Sequence, residues 1–361
     1  MHAALWEGVH AGLVFRENSA YKFLHDRIQQ AAYSLIPDEH RADIHLRIAR
    51  VLLASMTADE FAEHLFDVAS QFNRGATRLI LRDEKVQAAT IDLRAGRKAK
   101  ASAAYVSARG YFSAGMALLD ESDWSSHYEL AFCLRLERAE CAFLIGELEK
   151  AELLIAELLQ RAASNIDFVD ASCLKIDLQI LKGEHPQAVD SALTCLRLFG
   201  IDLPAHPTFE QVQAEYESVR QTLKGRPIES LIDLPLMTDP GLQAAMRALS
   251  VLTTPAHQTD FHLFSLFSCR MVNISMQHGM CGASAHGYVL LGFIVGPVFH
   301  RYGEGYRFAK LACDLVDKHG FITTRPRSIT RWHWLPFGRS RSGPRSISRG
   351  QPFAPRLRRV I

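Results

Sequence analysis

Apolar residues along this chain recur at the spacing of an α-helix. Phe132, Leu136, Ala139 and Phe143 fall on one helical stripe and Leu148, Ala151, Ile155 and Leu158 on a second, with Gly146 as the break between them. This pattern predicts two helices folded back on one another. Nearly every long segment shows the same 3.6-residue period and almost none the alternation of a strand, so the expected fold class is all-α. Thr57 with Glu60 and Thr208 with Gln211 have the spacing of a capping box, in which each side chain satisfies the other's end N–H. Prolines 37, 204, 207, 227, 235, 240 and 255 fall between periodic runs, where a succession of helices tolerates them.

The helix pairs recur. "GELEKAE" at Gly146–Glu152 and "GEHPQAV" at Gly183–Val189 share G-E-x-x-x-A, and "YVSA" at Tyr105–Ala108 and "GYRFA" at Gly305–Ala309 share a large residue followed three later by Ala. In a tetratricopeptide-like unit the glycine ends the first helix and the small alanine lets the second approach closely. Such a unit has an apolar face it cannot bury alone, so neighbours stack. The expectation is an α-solenoid presenting an extended surface, with a compact irregular helical bundle as the alternative.

Composition narrows the class. In 361 residues, 48% hydrophobic content and 22% charge describe a folded chain with a sizeable core, long enough for two or three compact units or one array. The net charge of +2 conceals an asymmetry. Residues 321–361 hold ten Arg and no Lys, Asp or Glu, which leaves 31 basic against 39 acidic residues, or −8, in residues 1–320. An acidic body argues against nucleic acid as a partner. Seven cysteines without a C-x-x-C read as reduced core thiols of a cytoplasmic protein. "MHAALWEGVH" lacks the basic start and apolar run of a signal peptide. The most apolar stretch, Gly287–Phe299, is expected to be a buried helix and its end, broken by Gly292, Gly296 and Pro297 and too short to span a bilayer.

Motifs that carry chemistry are missing. There is no G-x-x-x-x-G-K-[ST], so no phosphate cradle, and the "HDR" at His25–Arg27 is neither the kinase order nor followed by D-F-G. Sixteen His include no H-E-x-x-H and no His joined to a Cys pair. His40 and His45, five apart, read as surface residues. No G-x-S-x-G occurs. No catalytic or metal-binding residue is therefore assigned. Arg94, Arg97 and Lys98 in "LRAGRKAKASAAY" share a helix face and are the candidate partner-binding cations, with a solvated face as the plainer reading.

One local oddity is "YKFLHDRIQQAAYSLIP", Tyr21–Pro37, which sets His25 and Asp26 beside a buried-looking Phe23–Leu24 pair. Asp26 is expected to cap the helix running to Ile36 while His25 packs at its end.

Taken with "LRAGRKAKASAAYVSARGYFSAGMALL", "YELAFCLRLERAECAFLIGELEKAE", "LPLMTDPGLQAAMRALSVLTTPA" and "GYRFAKLACDLVDKHG", the region from Tyr21 onward resembles the central part of very large bacterial signalling proteins. These join a serine/threonine kinase, a predicted ATPase of the STAND or AAA type, helical repeats, a GAF sensor and often a histidine kinase. The resemblance covers about residues 5–320. It implies that residues 1–56 are a winged-helix-like end of the ATPase module, followed by tetratricopeptide-like repeats in 57–203 and further helical repeats in 204–320. It also implies a nucleotide-sensing place for His25, oriented by Asp26, toward the β-phosphate of ADP. ATP or ADP is implied only for the full parent architecture; for this chain no cofactor is expected.

The chain departs from the family pattern at both ends. It begins after the kinase and nucleotide-binding core would have ended, so Met1 reads as an internal start or a broken gene. After "VDKHG" the pattern gives way to Arg, Pro and Ser, read as a frameshift in preference to a disordered anion-binding tail. The functional expectation is a non-catalytic scaffold that carries signals between domains or docks protein partners in a helical groove. An active kinase or ATPase, and nucleic-acid binding through the Arg-rich tail, are the alternatives.

Overall fold

The computed structural model describes residues 2–17 and 20–320; residues 321–361, and with them the expectations for the Arg-rich tail, lie outside the described residues. The chain opens with α1 (His2–His10), a two-stranded antiparallel hairpin of β1 (Val14–Glu17) and β2 (Ala20–Phe23) that pairs Val14 with Phe23, and α2 (Asp26–Ser34). Four-residue strands are too short to announce themselves by alternation, and a lone hairpin cannot bury much. The expected burial of the Phe23–Leu24 pair is accordingly wrong: Phe23 is 42% and Leu24 63% exposed, and α2 buries no residue.

Among the described residues the regular elements after Pro37 are helices: α3 (Asp38–Ser55), α4 (Ala58–Glu63), α5 (Leu65–Gly75), α6 (Arg82–Ala101), α7 (Tyr105–Leu118), α8 (Asp123–Ser126), α9 (Tyr128–Leu144), α10 (Leu148–Arg161), α11 (Asn165–Leu181) and α12 (His185–Arg197). A connection then leads to α13 (Phe209–Leu223), α14 (Pro240–Val251), α15 (Thr253–Thr259), α16 (Phe261–His278), α17 (Gly282–Phe299) and α18 (Tyr302–His319). The described residues are thus mostly helical.

The core runs along the chain as a series. One cluster joins α3 to α6 around Leu46, Val68 and Phe72, a second α6, α7 and α9 around Phe112 and Leu134, and a third α9 to α11 around Phe132, Ile155 and Leu158. The largest continues from Val169 in α11 to Leu315 in α18. Both expected stripes of α9 and α10 face this core, and both expected capping boxes are formed.

The turns inside the pairs share one geometry. Gly146 (φ +83°) and Gly183 (φ +78°) occupy the left-handed position after α9 and α11. The following N–H groups of Glu147 and Glu184 reach back to Ala142 and Gln179 carbonyls at 2.8 Å, closing a Schellman turn. The same two bonds occur after α6, from Ala103 N–H to Lys100 O at 2.9 Å and from Ala104 N–H to Ala99 O at 3.0 Å. Here the left-handed residue is Ala103 (φ +58°). Each turn is followed by a fully buried alanine, Ala108, Ala151 or Ala188. Ala103→Gly should therefore raise unfolding stability by about 1 kcal/mol, because a Cβ in this conformation costs that much and glycine does not. A denaturant midpoint unchanged from wild type would refute this.

Three expectations need correction. The apolar stretch at Gly287–Phe299 is unbroken: α17 is one helix from Gly282 with Pro297 inside its last turn. Its glycines are contact points, for a Cβ on Gly292 would meet Gly305 O of α18 at 2.8 Å and Ala309 N at 2.9 Å. Among the described residues α17 is also long and apolar enough to cross a membrane, although half of it is buried in the fold. Pro240 and Pro255 lie inside the first turns of α14 and α15, where a missing N–H costs nothing. His45 is buried, as described below.

Candidate functional site

The residues singled out from the sequence lie in the N-terminal third. At the start of α2 the backbone of His25 is extended (φ −149°, ψ 143°) while Asp26 is already helical, so His25 is the cap. Its Nδ1 accepts from the Arg27 N–H at 3.2 Å. The expected hydrogen-bonding cap of Asp26 thus passes to its neighbour, while Asp26 keeps the other part of the expectation, negative charge in the first turn against the helix dipole. Both side chains are exposed. Because Nδ1 holds the cap, Nε2 is the ring nitrogen left to meet anything outside the fold.

Next to this segment the chain builds a polar relay around the buried His45 that the sequence did not announce. His45 Nδ1 donates to Gln71 Oε1 at 2.7 Å and its Nε2 shares a hydrogen bond with the Tyr33 hydroxyl at 2.9 Å. Arg41 lies over the Tyr33 ring, 5.1 Å from its centroid. The relay ties α2 to α3 and α3 to α5. His45 was expected at the surface because its partners are 12 and 26 residues away, and no local spacing reveals them. Beside it opens a cleft of about 490 Å³ lined by Leu35, Ile36, Pro37, His40, Asp43, Ile44 and Arg47.

The basic run on α6 is exposed but each cation has a neighbour. Arg94 stacks over Phe61 at 4.7 Å, and Lys98 lies over Phe66 at 5.3 Å while donating to the Ala62 carbonyl at 2.6 Å. Arg97 turns instead toward α9 and bonds Glu137 Oε1 at 2.8 Å. Lys100 joins it there, bonded to Glu137 and, at 2.9 Å, to Glu140. The structure therefore brings Arg94 and Lys98 together over α4 and α5, and sets Arg97 in a separate charged seam between α6 and α9.

Reactive chemistry has little to work with among the described residues. All seven thiols are free. Burial pushes the thiols of Cys173 and Cys269 well up, the reverse of what a nucleophilic thiolate needs. No group of three or more His, Cys, Asp or Glu among the described residues is arranged to hold a metal ion. Burial also holds His286 neutral, lowering its value to about 4, where its Nε2 meets Thr253 Oγ1 at 2.9 Å. Two carboxyls are raised to about 7 by burial: Asp92 in α6 and Asp177 in α11. Asp92 is bonded by Asn73 Nδ2 at 2.8 Å inside the core, and the charge of Asp177 helps push the Cys173 thiol further up.

No family model and no solved structure matches this chain. Among curated proteins it is similar to a hybrid signal transduction histidine kinase G of Dictyostelium discoideum. The two are 21% identical over 341 residues, covering 83% of this chain. The chain spans about 10% of that relative's length, so the likeness points to a signalling-protein relationship and concerns one region of a far larger protein.

Proposed function

We propose that this chain is a helical scaffold of the kind found inside large signal-transduction proteins, docking protein domains and passing conformational change between them without performing catalysis itself. The observation that carries this reading is the repeated hairpin. Three helix pairs end their first helix in the same left-handed Schellman turn and open the second with a fully buried alanine. These turns support reading the pairs as a tetratricopeptide-like stack, in which each pair completes its neighbour's core and leaves a continuous surface for partners. The likeness to a histidine kinase over most of the chain supports the signalling setting.

In the same reading residues 1–56, with α1, the hairpin, α2 and α3, are the winged-helix-like end of an ATPase module. His25, with Asp26 beside it, then serves as a nucleotide sensor completed by a phosphate-cradling domain on another part of the parent protein. Arg94 and Lys98, paired over aromatic rings, are the cations offered to an acidic partner.

The test is an ATP hydrolysis and autophosphorylation assay on the purified chain. Both rates should equal the buffer blank, and addition of a separately expressed STAND-type ATPase module should alter that module's hydrolysis rate. Activity of the chain alone that disappears in His25→Ala would overturn the scaffold reading in favour of an enzyme.

A further inference from the structure

The outer face of α17 is apolar along its length. Val289, Phe293 and Pro297, at i, i+4 and i+8, form one exposed stripe, with Val289 44% and Phe293 58% exposed. Aromatic side chains extend it on both flanks. On α16, Phe261 is 43% exposed and stacks on Phe264, whose ring meets Phe293 edge-on at 6.4 Å. On α18, Tyr302 and Tyr306 are 68% and 63% exposed, and the Tyr302 ring lies against Gly296.

The charge around this face departs from that of the body. Residues 261–303 contain no Asp or Glu, in a region 1–320 that otherwise carries an acidic excess. Exposed His262, His300 and Arg301 edge the stripe, and Arg307 and Lys310 stand further along α18. The carboxylates that flank this face in sequence or pair with its cations are engaged: Asp260 with His206 at 3.0 Å, Glu304 with Arg301 at 3.5 Å, Glu229 with Arg307 at 2.6 Å and Asp314 with Lys310 at 3.4 Å.

We propose that the α16–α18 face is a peripheral membrane-docking surface that inserts Val289, Phe293, Tyr302 and Tyr306 into the interface of an anionic lipid bilayer. Exposed aliphatic and aromatic side chains supply the apolar depth, tyrosines suit the headgroup level, and α16 and α17, which carry no Asp or Glu, offer no repulsion to anionic lipid. Helix α17 lies in the interface plane rather than across it, since half of it is already buried in the fold and its Gly292 is packed on α18. Nucleic acid is the poorer occupant, because α17 carries no Lys or Arg, its His286 is held neutral by burial, and phosphate binding runs on Lys and Arg.

Because residues 321–361 carry ten Arg, charge alone could hold the chain on acidic vesicles, and the test must separate the two. The full-length chain is sedimented with phosphatidylcholine vesicles made with and without phosphatidylserine, in about 0.15 M and about 1 M salt, which shortens the screening length from about 8 to 3 Å. Wild type should bind the serine-lipid vesicles and keep part of that binding in high salt. Phe293→Asp and Tyr306→Asp should each lower the high-salt partition by about tenfold or more, the loss expected when a buried aromatic becomes charged. Leu153→Asp, at a 72% exposed leucine on α10, should bind like wild type. Thermal melts matching wild type would show that the variants fold. Complete release of wild type in high salt, or Phe293→Asp binding like wild type, would overturn the proposal in favour of attachment by charge. A dimer dissolved by Phe293→Asp would overturn it in favour of a second copy covering the face.

Discussion

At pH 8 the Asp92→Asn variant should be more stable than wild type by a few kcal/mol, while at pH 4 the two should nearly coincide. Asp92 is fully buried on α6, receives one hydrogen bond from Asn73 Nδ2 on α5, and sits against the α7 backbone at Gly115, where an added Cβ would meet Asp92 Cβ at 3.2 Å. Its Oδ2 and the Oδ1 of Asn73 are both buried without a partner. Two acceptors left without donors in the core ask for a proton, and burial raises the carboxyl from an ordinary 3.8 to about 7. The sign follows directly. Between pH 4 and 7 the folded protein keeps a proton that the unfolded chain has released, so unfolding free energy falls as pH rises and the loss is complete near pH 8. A rise from 3.8 to about 7 corresponds to at most about 4 kcal/mol. Asparagine carries the missing donor in the same shape and has no charge to bury. Asp177, likewise raised to about 7, contributes a slope of the same sign that the variant retains. Urea melts at pH 4, 6 and 8 measure the difference; a variant whose slope against pH equals that of wild type would show that Asp92 titrates normally.

Such buried polar pairs are the part of this molecule that sequence conceals, whereas its helical grammar is largely open to view. The stripes of α9 and α10 could be read because four consecutive contacts on each helix come from residues three or four apart. The capping boxes at Thr57 and Thr208 could be read because their partners are three residues on. Gly146 and Gly183 marked their turns because glycine is the usual occupant of the left-handed position. The turn at Ala103 escaped for the complementary reason: its geometry is the same, but the residue is alanine and it lies 43 positions before Gly146, not the 37 that separate the two glycines.

The candidate site was less legible, since its contacts join distant positions. Nothing near His45 indicates that Tyr33 and Gln71 close on its ring, and nothing in the basic run indicates that Phe61, Phe66 and Glu137 wait for its cations. His25 and Asp26 exchanged roles because the cap is decided by which backbone is extended, a difference of one residue that side-chain chemistry does not encode. In α17 glycine was misread as a breaker. Tertiary packing overrode propensity there, because the gap left by a missing Cβ is what lets α18 come close.

Gly279→Ala should be strongly damaging, costing about 3–5 kcal/mol. Gly279 ends α16 with φ +100° and ψ 178°, a backbone region that essentially only glycine enters. It also stands where two segments cross. The connection before α14 runs beside the α16–α17 turn, with Met237 N–H bonded to Met280 O and Met280 N–H to Pro235 O, each at 2.7 Å. A Cβ on Gly279 would lie 2.6 Å from the Pro235 carbonyl oxygen and 3.0 Å from Leu236 C, so the neighbour that must yield is backbone. Rotating a side chain brings no relief. Moving the connection breaks both hydrogen bonds and lifts Met237 and Met280, each almost wholly buried, out of the large core cluster. The contrast is Gly303→Ala in the first turn of α18, where nothing lies within 4 Å of the new methyl and helix propensity favours alanine by up to about 1 kcal/mol. Chemical denaturation of the two variants side by side should displace their midpoints in opposite directions. Equal midpoints would mean that the crossing at Gly279 relaxes freely and that the 235–237 connection does not hold the C-terminal helices together.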